Sequence, residues 1–374
     1  MYTYFDYSST TPVNDAVLKA YFKVLKEYFV NSQSIYPRGI EVNKLMEKSR
    51  EKTASLLGVL AKEVIFTSSG SEANNLAVKG TALKRSRYGK HIISTNVEHS
   101  SVENSLKWLE KYLDFEVTYL PVNQDGVIEI NDLIKALRKD TILVTIMYVN
   151  NESGAIMPIE EIKKIVRKHP NCYLHCDCVQ AVGKIDFDLR DIDMASISAH
   201  KIYGLKGSGV LIKKQHVQLA EVISGGNQEY ALRGGTSNAA ANIVFYKTLR
   251  LALEAFKSAG DKIKQYHDYL IQGLKKLDKV LINSPEDGCY SVVNFSCLTI
   301  TSQVMMNALS LKGFEVSATS TCDSTTAVSR VISKMFQDED RIKGTIRVSI
   351  SHLHTLEDIN RLLLAIKECI EDYG

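Results

Sequence analysis

Thr141-Ile142-Leu143-Val144-Thr145-Ile146-Met147-Tyr148-Val149 is the stretch that decides the fold. It is far too short to cross a membrane. Its apolar character is nearly unbroken, without the polar alternation of a half-exposed strand. It therefore reads as a strand covered on both faces, the kind found inside a parallel sheet. Upstream, Val64 to Thr67, His91 to Thr95 and Phe115 to Leu120 read as further strands. Downstream, Cys172 to Cys178, Met194 to Ser198 and Gly209 to Ile212 complete the set. Helical patterns lie between them: from the Ser68–Asn75 loop to about Lys84, from Glu98 through Leu109, from Asn131 to Lys139 with an asparagine cap, and from Ile159 to Lys168. Strand alternating with helix predicts an α/β fold with a mainly parallel sheet.

The flanks differ. Amphipathic helices are expected over Asp15 to about Tyr28 and Glu41 to Leu57. A long helical pattern runs from Asn238 to about Leu277, with an expected break at Ser258-Ala259-Gly260. Beyond it come strands at Ser291–Phe295, Phe314–Ser317 and Thr345–Ile350. Helices are expected at Ser302–Leu311, Ala327–Met335 and Leu356–Tyr373, the last capped by Thr355. The expected division is a large α/β domain over residues 15–250. A smaller α+β domain would be formed by residues 1–14 and 251–374, carrying a polar loop at about 317–327.

Composition narrows the function classes. Over 374 residues, 24% are charged and 45% hydrophobic, as in ordinary globular proteins. A net charge of +3 is too weak for a nucleic-acid-binding surface, so no direct nucleic-acid partner and no membrane partner is expected. Seven cysteines, an odd number without framework spacing, suit a reducing compartment. No basic segment followed by an apolar core opens the chain, and a cytoplasmic location is expected.

In open α/β sheets, ligands sit outside the carboxyl ends of the strands. Ser71, His99, Asn151, Asp177, Gln180 and Lys201 all lie just after predicted strands. In Ser198-Ala199-His200-Lys201, a lysine beside small and basic residues can form a Schiff base and contact a phosphate. A solvated lysine is the commoner case for any isolated turn. In Ser68-Ser69-Gly70-Ser71-Glu72, backbone N–H groups at a helix start suit a phosphate. Ser69 and Glu72 also have the spacing of a capping box, and the two readings are compatible. Asp177 ends an apolar strand, where an unpaired carboxylate is costly. Its partner is a pyridinium nitrogen, a salt bridge or a cap. His99 either stacks on a ring and moves protons or makes an ordinary helix-start contact.

Cys172, Cys176 and Cys178 alternate along one strand, and no second Cys/His pair supports zinc, so they read as core cysteines and no metal is expected. Cys322 differs. It sits in Ser317-Ala318-Thr319-Ser320-Thr321-Cys322-Asp323-Ser324-Thr325-Thr326, a run with almost no large apolar residue, where a free cysteine is incidental or a nucleophile. Arg347, on a strand, either clamps a carboxylate or pairs at the surface. No G-x-G-x-x-G follows a first strand, which argues against a nicotinamide cofactor.

Taken in order, these residues resemble the cysteine desulfurases, pyridoxal 5'-phosphate (PLP) enzymes of the class V aminotransferase group with the fold-type I architecture. The resemblance runs from Asp6-Tyr7-Ser8-Ser9-Thr10-Thr11-Pro12 through Thr67–Asn75, Glu98-His99, Val149-Asn150-Asn151-Glu152, Asp177 with Gln180 and Ser198–Lys201. It continues through Arg233-Gly234-Gly235-Thr236 to Cys322 and Arg347. It implies that Lys201 carries the cofactor as a Schiff base and later moves protons, with His99 stacked on the ring and Asp177 paired with its nitrogen. Asn151 and Gln180 contact the ring oxygen and the substrate region. Gly70, Ser71, Ser198 and His200 hold the phosphate, and Thr236 reaches the phosphate of a second subunit, so a homodimer is implied. Arg347 binds the carboxylate of L-cysteine. Cys322 takes the sulfur as a persulfide, with alanine released, and passes it to an acceptor protein: an iron–sulfur scaffold or a tRNA-thiolating enzyme. Selenocysteine lyase, a class V aminotransferase without need of Cys322, and a catalytically inactive scaffold of the same fold are the alternatives. The phosphate loop and the Ala-Thr-Ser-Thr-Cys run before Cys322 depart from the family's usual wording, and Tyr36 stands where a histidine is expected.

Overall fold

In the computed structural model, which describes residues 2–318 and 328–374, the strands are β1 Thr3–Tyr4, β2 Val64–Thr67, β3 His91–Thr95, β4 Glu116–Leu120, β5 Thr141–Met147 and β6 Tyr173–Asp177. They continue as β7 Met194–Ser198, β8 Gly209–Lys213, β9 Val280–Ile282, β10 Val292–Cys297, β11 Phe314–Glu315 and β12 Thr345–Ser349. Seven of them form one sheet in the order β2-β8-β7-β6-β5-β3-β4. The contacts from β7 to β4 are parallel, and β8 runs antiparallel between β2 and β7. Every residue of β5 is buried, as its unbroken apolar run requires. The register places Met147 level with Asp177, and Asp177 level with Ser196. The carboxyl ends of β5, β6 and β7 therefore open at one edge of the sheet.

Two helices begin at that edge. Gly70–Arg85 follows β2, and Ser69 Oγ caps it by accepting the Glu72 N–H at 3.1 Å. The Glu72 carboxylate turns to Ser68, accepting its N–H at 3.0 Å, so only half of the expected capping box forms. Ser100–Leu113 follows β3, and the His99 side chain is its cap. The helix expected over Asn131–Lys139 spans Ile130–Ala136, preceded by Glu129, and Asn131 lies inside it. Its end is set where the Thr141 hydroxyl accepts the Arg138 N–H at 2.9 Å.

The expected break at Ser258-Ala259-Gly260 is absent: one helix runs from Ala239 to Leu274. A glycine in a helix costs about 1 kcal/mol against alanine, and burial at both ends outweighs it. Phe245, Leu249 and Ala252 lie in the core of the seven-stranded sheet. Tyr266, Leu270 and Leu274 lie in a second core, with Phe5, β10 and β12. That second core is built on the antiparallel sheet β12-β10-β9 and the helices Ser302–Leu311 and Leu356–Tyr373, the latter opened by a full Thr355/Asp358 capping box. Among the described residues, no helix is long and apolar enough to cross a membrane.

Candidate active site

Beyond the carboxyl ends of β5, β6 and β7 lies a pocket of about 170 Å³. Of the residues singled out in the sequence, Gly70, Ser71, His99, Asn151, Asp177, Gln180, Ser198, His200, Lys201 and Arg347 all line it. Thr236 does not. It is exposed and stands outside the pocket of its own chain. Cys322 lies outside the described residues.

Each side chain has a local reason for its place. Lys201 ends a single tight turn, Ala199–Lys201, directly after β7. Its Nζ donates to the carbonyls of Ser8 at 2.6 Å and Ser9 at 2.7 Å, so the N-terminal turn Tyr7–Ser9 closes over it. Asp177 is buried at the end of β6. It accepts from Asn74 Nδ2 at 2.7 Å and from the Val179 N–H at 3.0 Å. Gln180 donates to the Ser8 carbonyl at 2.9 Å and accepts from Lys184 Nζ. Burial draws the Lys184 pKa down to about 8. His200 contacts the Thr10 hydroxyl at 3.1 Å; burial, then the charges of Lys201 and Lys206, push its pKa to about 4, so it is uncharged at neutral pH.

Arg347 comes from β12, in the other sheet, and only 1% of it is exposed. Its Nη2 donates to Asp6 Oδ1 at 2.7 Å and Ser9 Oγ at 2.8 Å, and its Nη1 to the Asn151 carbonyl at 2.9 Å. The surface ion pair weighed from the sequence is thus replaced by a buried one with Asp6. Asp6 and Ser9, both in the Asp6–Pro12 stretch, carry no local sequence signal of this contact with Arg347.

Glu98, next to His99, is fully enclosed. Its Oε1 accepts from the Met147 N–H at 3.0 Å and the Thr95 hydroxyl at 2.8 Å, while Oε2 has no partner. Burial, with Asp177 nearby, raises its pKa to about 8. Cys172, Cys176 and Cys178 are free and buried, and burial raises each thiol pKa. No cluster of three or more metal-ligating side chains occurs among the described residues.

Residues 3–362 match the family model for aminotransferase class-V. The chain is 40% identical to a cysteine desulfurase IscS of Dictyoglomus turgidum over 98% of this chain and 94% of that protein. A solved NifS-like protein superposes at a TM-score of 0.93 with 34% identity and full coverage of both chains. A structure of SspA in complex with cysteine superposes at 0.82 with 31% identity, covering 93% of this chain and 98% of that one. The chain belongs to the class-V aminotransferase family.

The cofactor of this class-V family is PLP, and the pocket fits it on structural grounds. Ser198 Oγ is buried with no hydrogen-bond partner, a donor suited to a phosphate oxygen. Beside it, a Cβ at Gly70 would come within 2.8 Å of Val179 Cγ2 and 3.2 Å of Ser198 Cβ, so only glycine leaves this wall open. The buried Asp177 carboxylate has no cation paired with it among the described residues. A protonated ring nitrogen would supply that charge. Arg347 also lines the pocket, held there by Asp6, Ser9 and the Asn151 carbonyl, and its Nε is buried without a hydrogen-bond partner.

Proposed function

We propose that this protein is a PLP-dependent cysteine desulfurase, which converts L-cysteine to alanine and holds the sulfur as a persulfide for delivery to an acceptor protein. The observation that carries the proposal is the meeting of Lys201 and Arg347 in one pocket, from two different sheets. The full-length likeness to proteins named cysteine desulfurase supports it, as does the cysteine held by the similar SspA structure.

In this assignment Lys201 anchors the cofactor and moves protons at the substrate carbon. Ser71, Ser198, His200 and the Gly70 backbone hold the phosphate, Asp177 pairs with the ring nitrogen, and His99 covers the ring. Asn151 and Gln180 face the ring oxygen and the substrate, and Arg347 holds the substrate carboxylate. When bound, PLP supplies the electron sink that lets the C–S bond of cysteine break. The Cys322 thiolate attacks the substrate sulfur. An S–S bond forms as the C–S bond breaks, the electron pair stays on carbon, and a proton delivered there completes alanine.

Thr236 stands exposed directly after Gly235, five residues beyond the left-handed turn Glu229–Ala231, which supports a role in a partner subunit's phosphate site and hence a homodimer. The six described cysteines are all buried and free, in keeping with a reducing cytoplasm. An iron–sulfur scaffold or a tRNA-thiolating enzyme is the proposed acceptor. Residues 15–250 would serve as the cofactor domain, and residues 1–14 with 251–374 as the smaller one.

The test is direct. Wild type incubated with L-cysteine should yield alanine in step with sulfide when a reductant is present, with a persulfide on Cys322 by mass spectrometry. Cys322→Ser should keep the bound cofactor but lose sulfide release, and Lys201→Ala should lose the covalently held cofactor. Undiminished sulfide release from Cys322→Ser would remove Cys322 from the mechanism, and a wild type that binds no PLP would end the proposal.

A further inference from the structure

Asn74 is the fifth residue of the helix Gly70–Arg85, at the start of its second turn, and is 1% exposed. Its two amide hydrogens go to two different elements: one to Asp177 Oδ2 at 2.7 Å, the other to Ser101 Oγ at 2.9 Å. The orientation is unambiguous, because the reversed amide would press its carbonyl oxygen against the Asp177 carboxylate. The choice leaves Asn74 Oδ1 buried without a partner. An arrangement that keeps such an unfavourable orphan is held by what the amide nitrogen does.

The chain of contacts continues. Ser101 Oγ lies 2.8 Å from His99 Nδ1, and the Ser101 backbone N–H donates to the same nitrogen at 3.1 Å. An amide N–H donor requires Nδ1 to be an acceptor. Ser101 Oγ, already receiving a hydrogen from Asn74, has its own to give to Nδ1. Both contacts therefore put the imidazole proton on Nε2. Asp177, Asn74, Ser101 and His99 form one continuous line of hydrogen bonds across the ends of β6, the helix Gly70–Arg85 and the helix Ser100–Leu113, donated outward from the Asn74 amide to Asp177 on one side and through Ser101 to His99 on the other.

We infer that Asn74 and Ser101 are positioning residues that couple the Asp177 carboxylate to the His99 imidazole, fixing the Nε2–H tautomer of the histidine that covers the cofactor ring. The inference rests on the roles given above to Asp177 and His99, but the coupling belongs to the protein itself and exists without the ring. With both amide hydrogens committed, Asn74 also holds Asp177 Oδ2, leaving Oδ1 on the Val179 N–H and the carboxylate aimed into the pocket.

The experiment is nitrogen-15 NMR of the histidine side chains in the full-length, cofactor-free protein, with the His99 signals assigned by their loss in His99→Gln. Wild type should show His99 as the Nε2–H tautomer. Ser101→Ala should move the Nδ1 signal toward that of a weaker acceptor, and Ser101→Thr, which keeps the hydroxyl, should restore it. Asp177→Asn should shift the His99 signals in wild type and leave them unmoved in an Asn74→Leu background. PLP titration, read by visible absorbance, should give Asn74→Leu a dissociation constant about tenfold higher, the loss of one hydrogen bond to a charged group. An Nδ1–H tautomer in wild type, or an Asp177→Asn shift that survives Asn74→Leu, overturns the inference. Where Asn74→Leu does not fold, the Ser101→Ala and Ser101→Thr pair decides it, and unchanged Nδ1 in Ser101→Ala refutes it. A wild type with the expected His99 signals that fails to bind PLP would instead refute the functional assignment and leave the coupling standing.

Discussion

The turn that leads to Thr236 is held by one buried ion pair, and removing its carboxylate should be among the most damaging single changes outside the pocket. Glu229, Tyr230 and Ala231 have φ of 47°, 59° and 60°, three consecutive non-glycine residues in the left-handed region. At about 1–2 kcal/mol each, they hold roughly 3–6 kcal/mol of unfavourable backbone. Against this, Arg50 grips Glu229 with both nitrogens, Nη1–Oε2 at 2.7 Å and Nη2–Oε1 at 2.9 Å. Glu229 Oε2 also accepts the Phe66 N–H at 2.8 Å, joining the turn to β2. The guanidinium lies over Phe66 at 4.7 Å and Tyr230 at 5.3 Å. Burial disfavours the charge on Arg50, but the hydrogen bonds and charge of Glu229 more than offset this and raise its pKa.

Glu229→Ala leaves that charge buried, with the half-exposed Glu47 at 3.1 Å, the Val64 carbonyl and the Phe66 and Tyr230 rings as its remaining partners among the described residues. Breaking a buried pair from one side costs about 3–5 kcal/mol. At roughly 2.1 cal/mol/K per residue, the 374-residue chain has an unfolding entropy near 0.8 kcal/mol/K. A loss of about 4 kcal/mol therefore lowers the melting temperature by roughly 5 °C. Differential scanning calorimetry of wild type, Glu229→Ala, Arg50→Met and the double variant closes the cycle. The double variant should be less damaged than the sum of the singles by about 2–3 kcal/mol, because no lone charge remains. A Glu229→Ala protein melting within about 1 °C of wild type, or strictly additive singles, would refute the assignment of this pair as the clasp of the turn.

Three further outcomes are expected. Ala231→Gly relieves one left-handed alanine and should raise stability by about 1 kcal/mol, read as a higher denaturation midpoint; destabilisation would mean that the turn is not strained there. Gly70→Ala places a methyl 2.8 Å from Val179 Cγ2 at the phosphate wall; it should fold with an unchanged circular dichroism spectrum and bind PLP at least tenfold more weakly, and equal affinity would show that the wall yields. Glu98, with a folded pKa of about 8 against an ordinary 4.5, contributes stability that is complete below the ordinary value and is lost as pH rises through the folded one. Wild type should thus lose on the order of 4–5 kcal/mol relative to Glu98→Gln between pH 4.5 and pH 9, and parallel melting curves across that window would contradict the buried, protonated carboxyl.

The sheet was legible in the sequence because burial on both faces leaves short, largely apolar runs of strand length, bounded by turn residues and alternating with helical patterns. β5 at Thr141–Met147 and β7 at Met194–Ser198 were read almost to the residue. The pocket residues were legible for a related reason: a polar residue that ends such a run has few places to go except the open edge of the sheet. The long helix Ala239–Leu274 was misread at Gly260, because local propensity is worth about 1 kcal/mol there and two separate cores hold the ends. β9 at Val280–Ile282 left no signal, since a short edge strand is defined by the partner it finds in β10.

What sequence cannot carry is pairing across long separations. Arg347 and Asp6 are 341 residues apart, and nothing local in either stretch says that one guanidinium reaches both that carboxylate and the Asn151 carbonyl. Asn74 is the sharper case. In the sequence it is one of two adjacent asparagines on a helix, and helical geometry alone separates them: Asn75 turns outward to the Ser71 carbonyl, while Asn74 turns inward. The inward one meets Asp177 and Ser101 only because the sheet order brings β6 beside β5 and β5 beside β3, placing three loop ends within one side chain's reach. Residues whose work is to connect the named catalytic groups carry no motif of their own, and they become visible only when the donors and acceptors of the site are counted and one oxygen is left over.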